Sequence, residues 1–303
     1  EIIKGHVTLG SLRVRQDILI AESLAAPYLK GNEVAGTLHA MALDRIRQLS
    51  AHEIGHTLGI AHNFAASVNN RASVMDYPHP LLSFADNGQL DVSQGYAKGM
   101  GAWDTQVIKY GYSDFTGQDE SEALAAILQQ NKAQGLAFIS DSDARAKGGA
   151  HPTAHLWDNG GNPSEELLRV LDVRKQALGQ FGINNIKTGV ALSQLEEKLV
   201  PLYLFHRYQV EAVAKLIAGV DYDYEIRSDA PVKGAQVVAK EAQQQAVNAI
   251  LATLKATNLT LPESILSLIV PKAYGESKSR ESIVGRTGLT MDALALPEVA
   301  AQH

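Results

Sequence analysis

One stretch constrains this chain more than any other. Residues 52–62 read His52-Glu53-Ile54-Gly55-His56-Thr57-Leu58-Gly59-Ile60-Ala61-His62 and fill every specified position of the pattern HExxHxxGxxH. Two histidines four apart on a helix stand one turn above each other on one face, so they can share one metal ion. Glu53 follows the first of them directly. Its carboxylate lies near that metal but outside the ligand row, where it can take a proton from a metal-bound water. A glycine at position 59 can adopt positive φ and end the helix, so the chain turns back and His62 arrives as a third ligand. Three protein ligands leave one tetrahedral position for water, the arrangement expected of catalytic zinc. HExxH alone occurs by chance on ordinary helices, but Gly59 and His62 at fixed offsets make coincidence improbable.

The string resembles the signature of the metzincin clan of zinc endopeptidases, and a methionine-containing turn follows it as Ser73-Val74-Met75-Asp76-Tyr77. The resemblance implies that Met75 packs beneath the histidines as an apolar floor without ligating. It also implies that Tyr77, in the S-x-M-x-Y form of the astacin-like and serralysin-like branches, approaches the metal and stabilises the transition state. HEIGHTLGIAHNFAAS, SVMDYP, GAWDTQVIKYGY, LWDNG and EELLRVLDVRKQAL are similar to segments of large bacterial zinc-dependent metalloproteases long filed under unknown function. Those proteins are longer and exported, so the resemblance implies an extracytoplasmic location. This chain opens Glu1-Ile2-Ile3-Lys4 with neither initiator methionine nor signal peptide, which reads as a fragment or a processed form.

Composition narrows the partners. The 303 residues are 45% hydrophobic and 20% charged, enough for a substantial core in one large domain or two smaller ones. A formal net charge of −6 gives no basic footprint for nucleic acid. With no cysteine the metal ligands must be histidines. No apolar run reaches the ~18 residues of a membrane span.

The pattern predicts a mainly α fold with a small β component. Residues 1–112 read as a metzincin-like catalytic unit and 113–303 as a helical C-terminal region. Residues 2–9 are expected to form a short strand, and by resemblance an edge that pairs with extended substrate. Helices are expected over Arg13 to Leu29, over Val34 to Leu58 and over Ala102 to Tyr110, with Trp103 and Tyr110 in the core. Asp86-Asn87-Gly88 signals a hairpin. Further helices are expected over 119–134, from Asn162-Pro163, from a capping box Ser193-x-x-Glu196 with a kink at Pro201, over 235–256, and from Thr260-x-x-Glu263. Only about 50 residues precede His52, so the N-terminal sheet of a complete metzincin is expected to be truncated. Loops around residues 76–96 are expected to shape substrate specificity.

Two lesser constellations remain. His151 and His155 are four apart, but Pro152 and flanking glycines argue for a loop and no third ligand is placed by spacing; a second metal there is a minor alternative. Asp141-Ser142-Asp143 lacks the glycine and glutamate of a calcium loop and reads as solvated.

The chemistry expected is peptide hydrolysis at zinc held by His52, His56 and His62, with Glu53 as general base and Tyr77 as oxyanion donor. Peptide or protein is the substrate. The alternatives are a non-catalytic zinc-containing binding or scaffold protein, and a zinc hydrolase acting on a non-peptide amide or ester.

Overall fold

A computed structural model describes residues 2–28, 36–227 and 231–282. Helices dominate it: α1 (Ser11–Ala25), α2 (Gly36–Thr57), α3 (Ala102–Tyr112), α4 (Glu120–Ala133), α5 (Asp141–Ala144), α6 (Pro163–Gln180), α7 (Leu195–Tyr203), α8 (Arg207–Ala214), α9 (Lys240–Thr253), α10 (Ala256–Leu259) and α11 (Glu263–Leu266). The β component is two small antiparallel pairs. Strand β1 (Ser83–Phe84) pairs β2 (Leu90–Asp91) in the register Ser83↔Asp91 and Phe84↔Leu90, around the expected turn with Gly88 at φ 75°. Strand β3 (Val220–Asp221) pairs β4 (Gln236–Val237). No described helix is long and apolar enough to cross a membrane.

The centre of the molecule is α6. The Asn162 side chain accepts from the backbone N–H groups of Ser164 and Glu165, and Pro163 occupies the first turn, so the start is fixed locally. Its apolar residues then serve two cores at once. Val170, Val173, Ala177 and Leu178 meet Ala21 and Leu24 of α1, Leu38 and Met41 of α2, and Leu195, Leu199 and Leu202 of α7. Leu167 and Leu171 face Val213 of α8 and Ala246 and Ala249 of α9. Residues before and after position 112 thus share one core, and α2 is braced by α1, which also packs on α6 and α7.

Several expectations change. Among the described residues no strand precedes α2, and residues 2–10 run without a β partner, leaving Ile2, Ile3, Val7 and Leu9 exposed. A strand needs a neighbour to take its backbone groups, and none is present among the described residues. Ser193 does not cap: a 3-10 turn over residues 192–194 comes first, and its hydroxyl donates to Glu276 at 2.7 Å. Thr260 closes α10 instead of opening α11, which begins after Pro262. Pro201 lies inside α7, and the single run expected there divides into α7 and α8. In α3, Trp103 is buried, but burial stops after Ile108 and Tyr110 is exposed. Leu29 and residues 34 and 35 of the expected helices lie outside the described residues.

Candidate metal centre

Helix α2 carries His52 and His56 in its last two turns and stops at Thr57. Leu58 N–H still reaches the carbonyls of Ile54 and Gly55, and Ile60 N–H returns to Gly55, which is the closure of a helix ended by a left-handed residue. That residue is Gly59 at φ 80°; a Cβ there would meet nothing within 4 Å, so the backbone conformation and not space demands glycine. The reversed chain brings His62 back, its Nε2 3.1 Å from that of His56, which is itself 3.1 Å from His52 Nε2.

The opposite ring nitrogens explain why these three edges face one another. His52 Nδ1 lies 2.7 Å from the Val74 carbonyl, and His56 Nδ1 lies 2.9 Å from that of Ile60. His62 Nδ1 lies 2.7 Å from Asp141 Oδ2. Carbonyls and a carboxylate only accept, so each Nδ1 donates, and a ring whose one proton is held there has a bare lone pair on Nε2. Three lone pairs aimed at one point repel unless a cation lies between them. Ligand nitrogens around tetrahedral zinc, at about 2.0–2.1 Å from the metal, are separated by about 3.3 Å, close to the spacing found. The donor set therefore fits zinc. Among the described residues no other three His, Cys, Asp or Glu side chains gather this way. Burial pushes the His52 imidazolium down to about 4, so that ring is neutral near pH 7. His52 is buried while His56 is exposed, so the cluster opens to solvent on one side. Glu53 is half-buried on the same helix, and its carboxylate has no hydrogen bond among the described residues.

The methionine turn lies beneath the cluster. A Cβ on Gly55 would collide with Met75 Sδ, so Gly55 is the gap in α2 through which Met75 reaches the helix. Met75 is 1% exposed and packs with Val74, Ala66, Ala72 and Trp103. Asp104 pins this turn. Its carboxylate accepts from Ser73 Oγ at 2.6 Å, Val74 N–H at 2.9 Å and Gly101 N–H at 2.7 Å. The Val74 carbonyl, thus fixed, receives His52 and also Gln48 Nε2 at 2.9 Å. Gln48 is held in turn by Arg45, whose guanidinium lies 3.6 Å from the buried Asp17 of α1. Behind the turn, burial pushes the Asp76 and Asp158 carboxyls up, Asp158 to about 7, and the neighbouring Asp158 raises Asp76 further.

Tyr77 comes to the histidines as a ring, 4.8 Å from His62 and 5.6 Å from His52 between centroids. Phe64 and Trp157 enclose it, and Arg145 lies 6.0 Å over its face. Trp157 holds an uncommon left-handed φ of 62°, with its N–H on the Tyr77 carbonyl at 2.9 Å. Trp157 also lines a cavity of about 440 Å³, together with Arg145, Lys147, His155, Tyr208 and Lys215.

Asp141 is the correction of greatest consequence. The segment is solvated as expected, its Asp141 side chain 42% exposed, but it is not a free loop: Asp141 opens the short α5 and meets His62, and although burial works against it, the hydrogen bonds from His62 and Arg145 hold its carboxyl below the usual range. The signal missed was an acidic pair 79 residues downstream of His62, which no local spacing connects to it. Asp104, Gln48 and Gly55 were missed for the same reason. His151 and His155 lie apart from the cluster. His151 Nε2 donates to the Tyr222 carbonyl at 2.9 Å, and His155 Nε2 lies 3.4 Å from Glu211.

No curated protein and no solved structure matches this chain. The Met-zincin family matches residues 35–302, a span that holds all three histidines, Met75 and Asp141. On that match, with a three-histidine cluster that fits a metzincin zinc site, the chain belongs to the Met-zincin family.

Proposed function

We propose that the chain is a zinc-dependent endopeptidase with His52, His56 and His62 as its metal ligands and Glu53 as general base. The observation that carries this reading is the set of three converging Nε2 atoms, each ring fixed through its Nδ1, with an uncommitted Glu53 next to the first ligand. Zinc, when bound by these three rings, would contribute a Lewis acid and a water of lowered pKa, toward ~7. Glu53 takes the proton of the attacking water and delivers it to the leaving amine. The Tyr77 hydroxyl donates to the oxygen on which charge develops. Met75 supports the histidines from below without ligating.

Residues 2–10 fit a substrate-pairing role. Gly5 packs against the Thr57 side chain at the end of α2, and the segment's exposed apolar residues and unpaired backbone offer an edge to an extended peptide. The cavity lined by Trp157 would take a substrate side chain, in place of the 76–96 loops expected to do so. Kinship with exported proteases extends the reading to an extracytoplasmic location.

The deciding experiment joins zinc content to a peptide-library cleavage assay on parent and Glu53→Gln protein. The variant keeps shape and hydrogen-bonding capacity while deleting the base, so zinc should persist and turnover should fall by about 10²–10⁴-fold. Zinc-loaded Glu53→Gln that cleaves at the parent rate would refute the role given to Glu53. A zinc-loaded parent that cleaves no peptide but hydrolyses simple amides or esters would favour the non-peptide hydrolase, and one inert to both would favour the scaffold.

A further inference from the structure

His52 and His56 are backed by main-chain carbonyls, Val74 and Ile60, from segments already close in sequence or bound to the methionine turn. His62 alone is backed by a charged side chain, and that side chain comes from 79 residues further along the chain. The segment that brings it is fixed at both ends. Before Asp141, Phe64 N–H donates to the Ile139 carbonyl at 2.9 Å, and the buried Asn63 amide donates to the Ala137 carbonyl at 2.9 Å. Residues 137–139 are therefore tied directly to the two residues that follow His62. Beyond Asp141, the Asp143 carboxylate accepts the hydroxyls of both Tyr222 and Tyr224, from the chain just after β3. A four-residue helix has little stability of its own, and these outside bonds give α5 its place.

We propose that Asp141 is a positioning residue for His62, held in register by the Asp143–Tyr222–Tyr224 clamp, so that segments far along the chain from the histidines set the affinity of the metal centre. The inference rests on the zinc reading above. An ionised acceptor on Nδ1 does two things that a carbonyl does less well: it locks the ring's tautomer and direction, and it makes Nε2 a stronger donor. His62 needs this more than its partners. His52 and His56 inherit their directions from α2, whereas His62 stands on a loop past the helix end. The arrangement also explains why the chain places two carboxylates at positions 141 and 143: one faces the histidine and the other faces the tyrosines.

The test is zinc affinity measured by competition with a chelator of known strength, on the full chain, with circular dichroism to verify folding. Asp141→Ala should bind zinc about 10–100-fold more weakly than the parent. Asp141→Asn keeps an acceptor of the same shape but not the charge, and should recover part of that loss. Tyr222→Phe/Tyr224→Phe, which leaves Asp141 intact, should fall between parent and Asp141→Ala. Cobalt-loaded Asp141→Ala should show an altered visible ligand-field spectrum, which general destabilisation would not produce. Parent-like affinity and cobalt spectrum in folded Asp141→Ala would overturn the proposal while leaving the zinc reading standing. Should Asp141→Ala not fold, Asp141→Asn decides, since parent-like affinity there together with parent-like affinity in the double tyrosine variant also overturns it. A parent that takes up no zinc overturns the zinc reading and this proposal with it.

Discussion

Asp104 and Arg174 are each 1% exposed, carry opposite charges, and bury those charges against main chain instead of against each other. Asp104 sits in the first turn of α3 and gathers two backbone N–H groups and a serine hydroxyl. Arg174 sits in α6, donates to the Tyr203 carbonyl at 2.7 Å and the Asn258 carbonyl at 2.8 Å, and lies 4.3 Å from the centroid of the Tyr203 ring. Burial lowers its guanidinium to about 10, still cationic at neutral pH. The two residues do the same physical job, satisfying buried backbone groups that no helix or sheet satisfies. Their consequences differ because of where those groups lead. The bonds of Asp104 end one carbonyl away from His52 of the three-histidine cluster, whereas those of Arg174 end in helix-to-helix joints of the scaffold. A buried charge can thus serve the site or the frame, and only its partners tell which.

Asp104→Ala strands the buried Ser73 hydroxyl and Val74 N–H and the part-buried Gly101 N–H, at about 1–3 kcal/mol each before relaxation, so unfolding free energy should fall by about 4 kcal/mol in a denaturant titration. Zinc binding should weaken at least ~10-fold, since released Val74 no longer fixes His52. Arg174→Met removes a donor from two carbonyls but refills the volume, and should cost about 2 kcal/mol with zinc affinity unchanged within about twofold. If Arg174→Met weakens zinc as much as Asp104→Ala does, the separation of site from frame is wrong. Met75→Leu sharpens the point, because Met75 touches the site through packing alone; it should cost less than ~1.5 kcal/mol and leave zinc content at one per chain. The smallest effect belongs to a surface pair. Arg15 donates to Glu281 at 2.8 Å, and that hydrogen bond holds the Glu281 carboxyl down at about 2. Its folded value is depressed, so its stabilisation is present above the ordinary carboxylate range near ~4.3 and is lost as pH falls through about 2. Solvent screening limits it to less than ~1 kcal/mol, read as the difference between parent and Glu281→Gln in stability measured against pH.

What was legible in the sequence follows from the range of the interactions involved. The hairpin at Asn87-Gly88, the start of α6 at Asn162-Pro163 and the end of α2 at Gly59 depend on neighbours within a few residues, and the structure has all three. The starts assigned to Ser193 and Thr260 rest on the same local grammar, yet they failed because a 3-10 turn and a proline displaced the helix start by one or two residues. The strand expected at residues 2–9 failed because a strand depends on a partner that its own residues do not specify.

The spacing of the three histidines is already written in the chain, because histidine positions on a helix and a glycine that ends it are matters of one turn's geometry. The sequence determined the mainly α character too, through apolar periodicity. Only the tertiary structure decided how each histidine is aimed. The acceptors on Nδ1 are Val74, Ile60 and Asp141, and Asp141 lies 79 residues from its histidine, so the direction of a lone pair at the metal centre is set by how distant segments pack. Spacing along a helix is fixed by covalent geometry and one hydrogen-bond pattern, whereas a side chain's orientation is fixed by whatever the fold brings beside it.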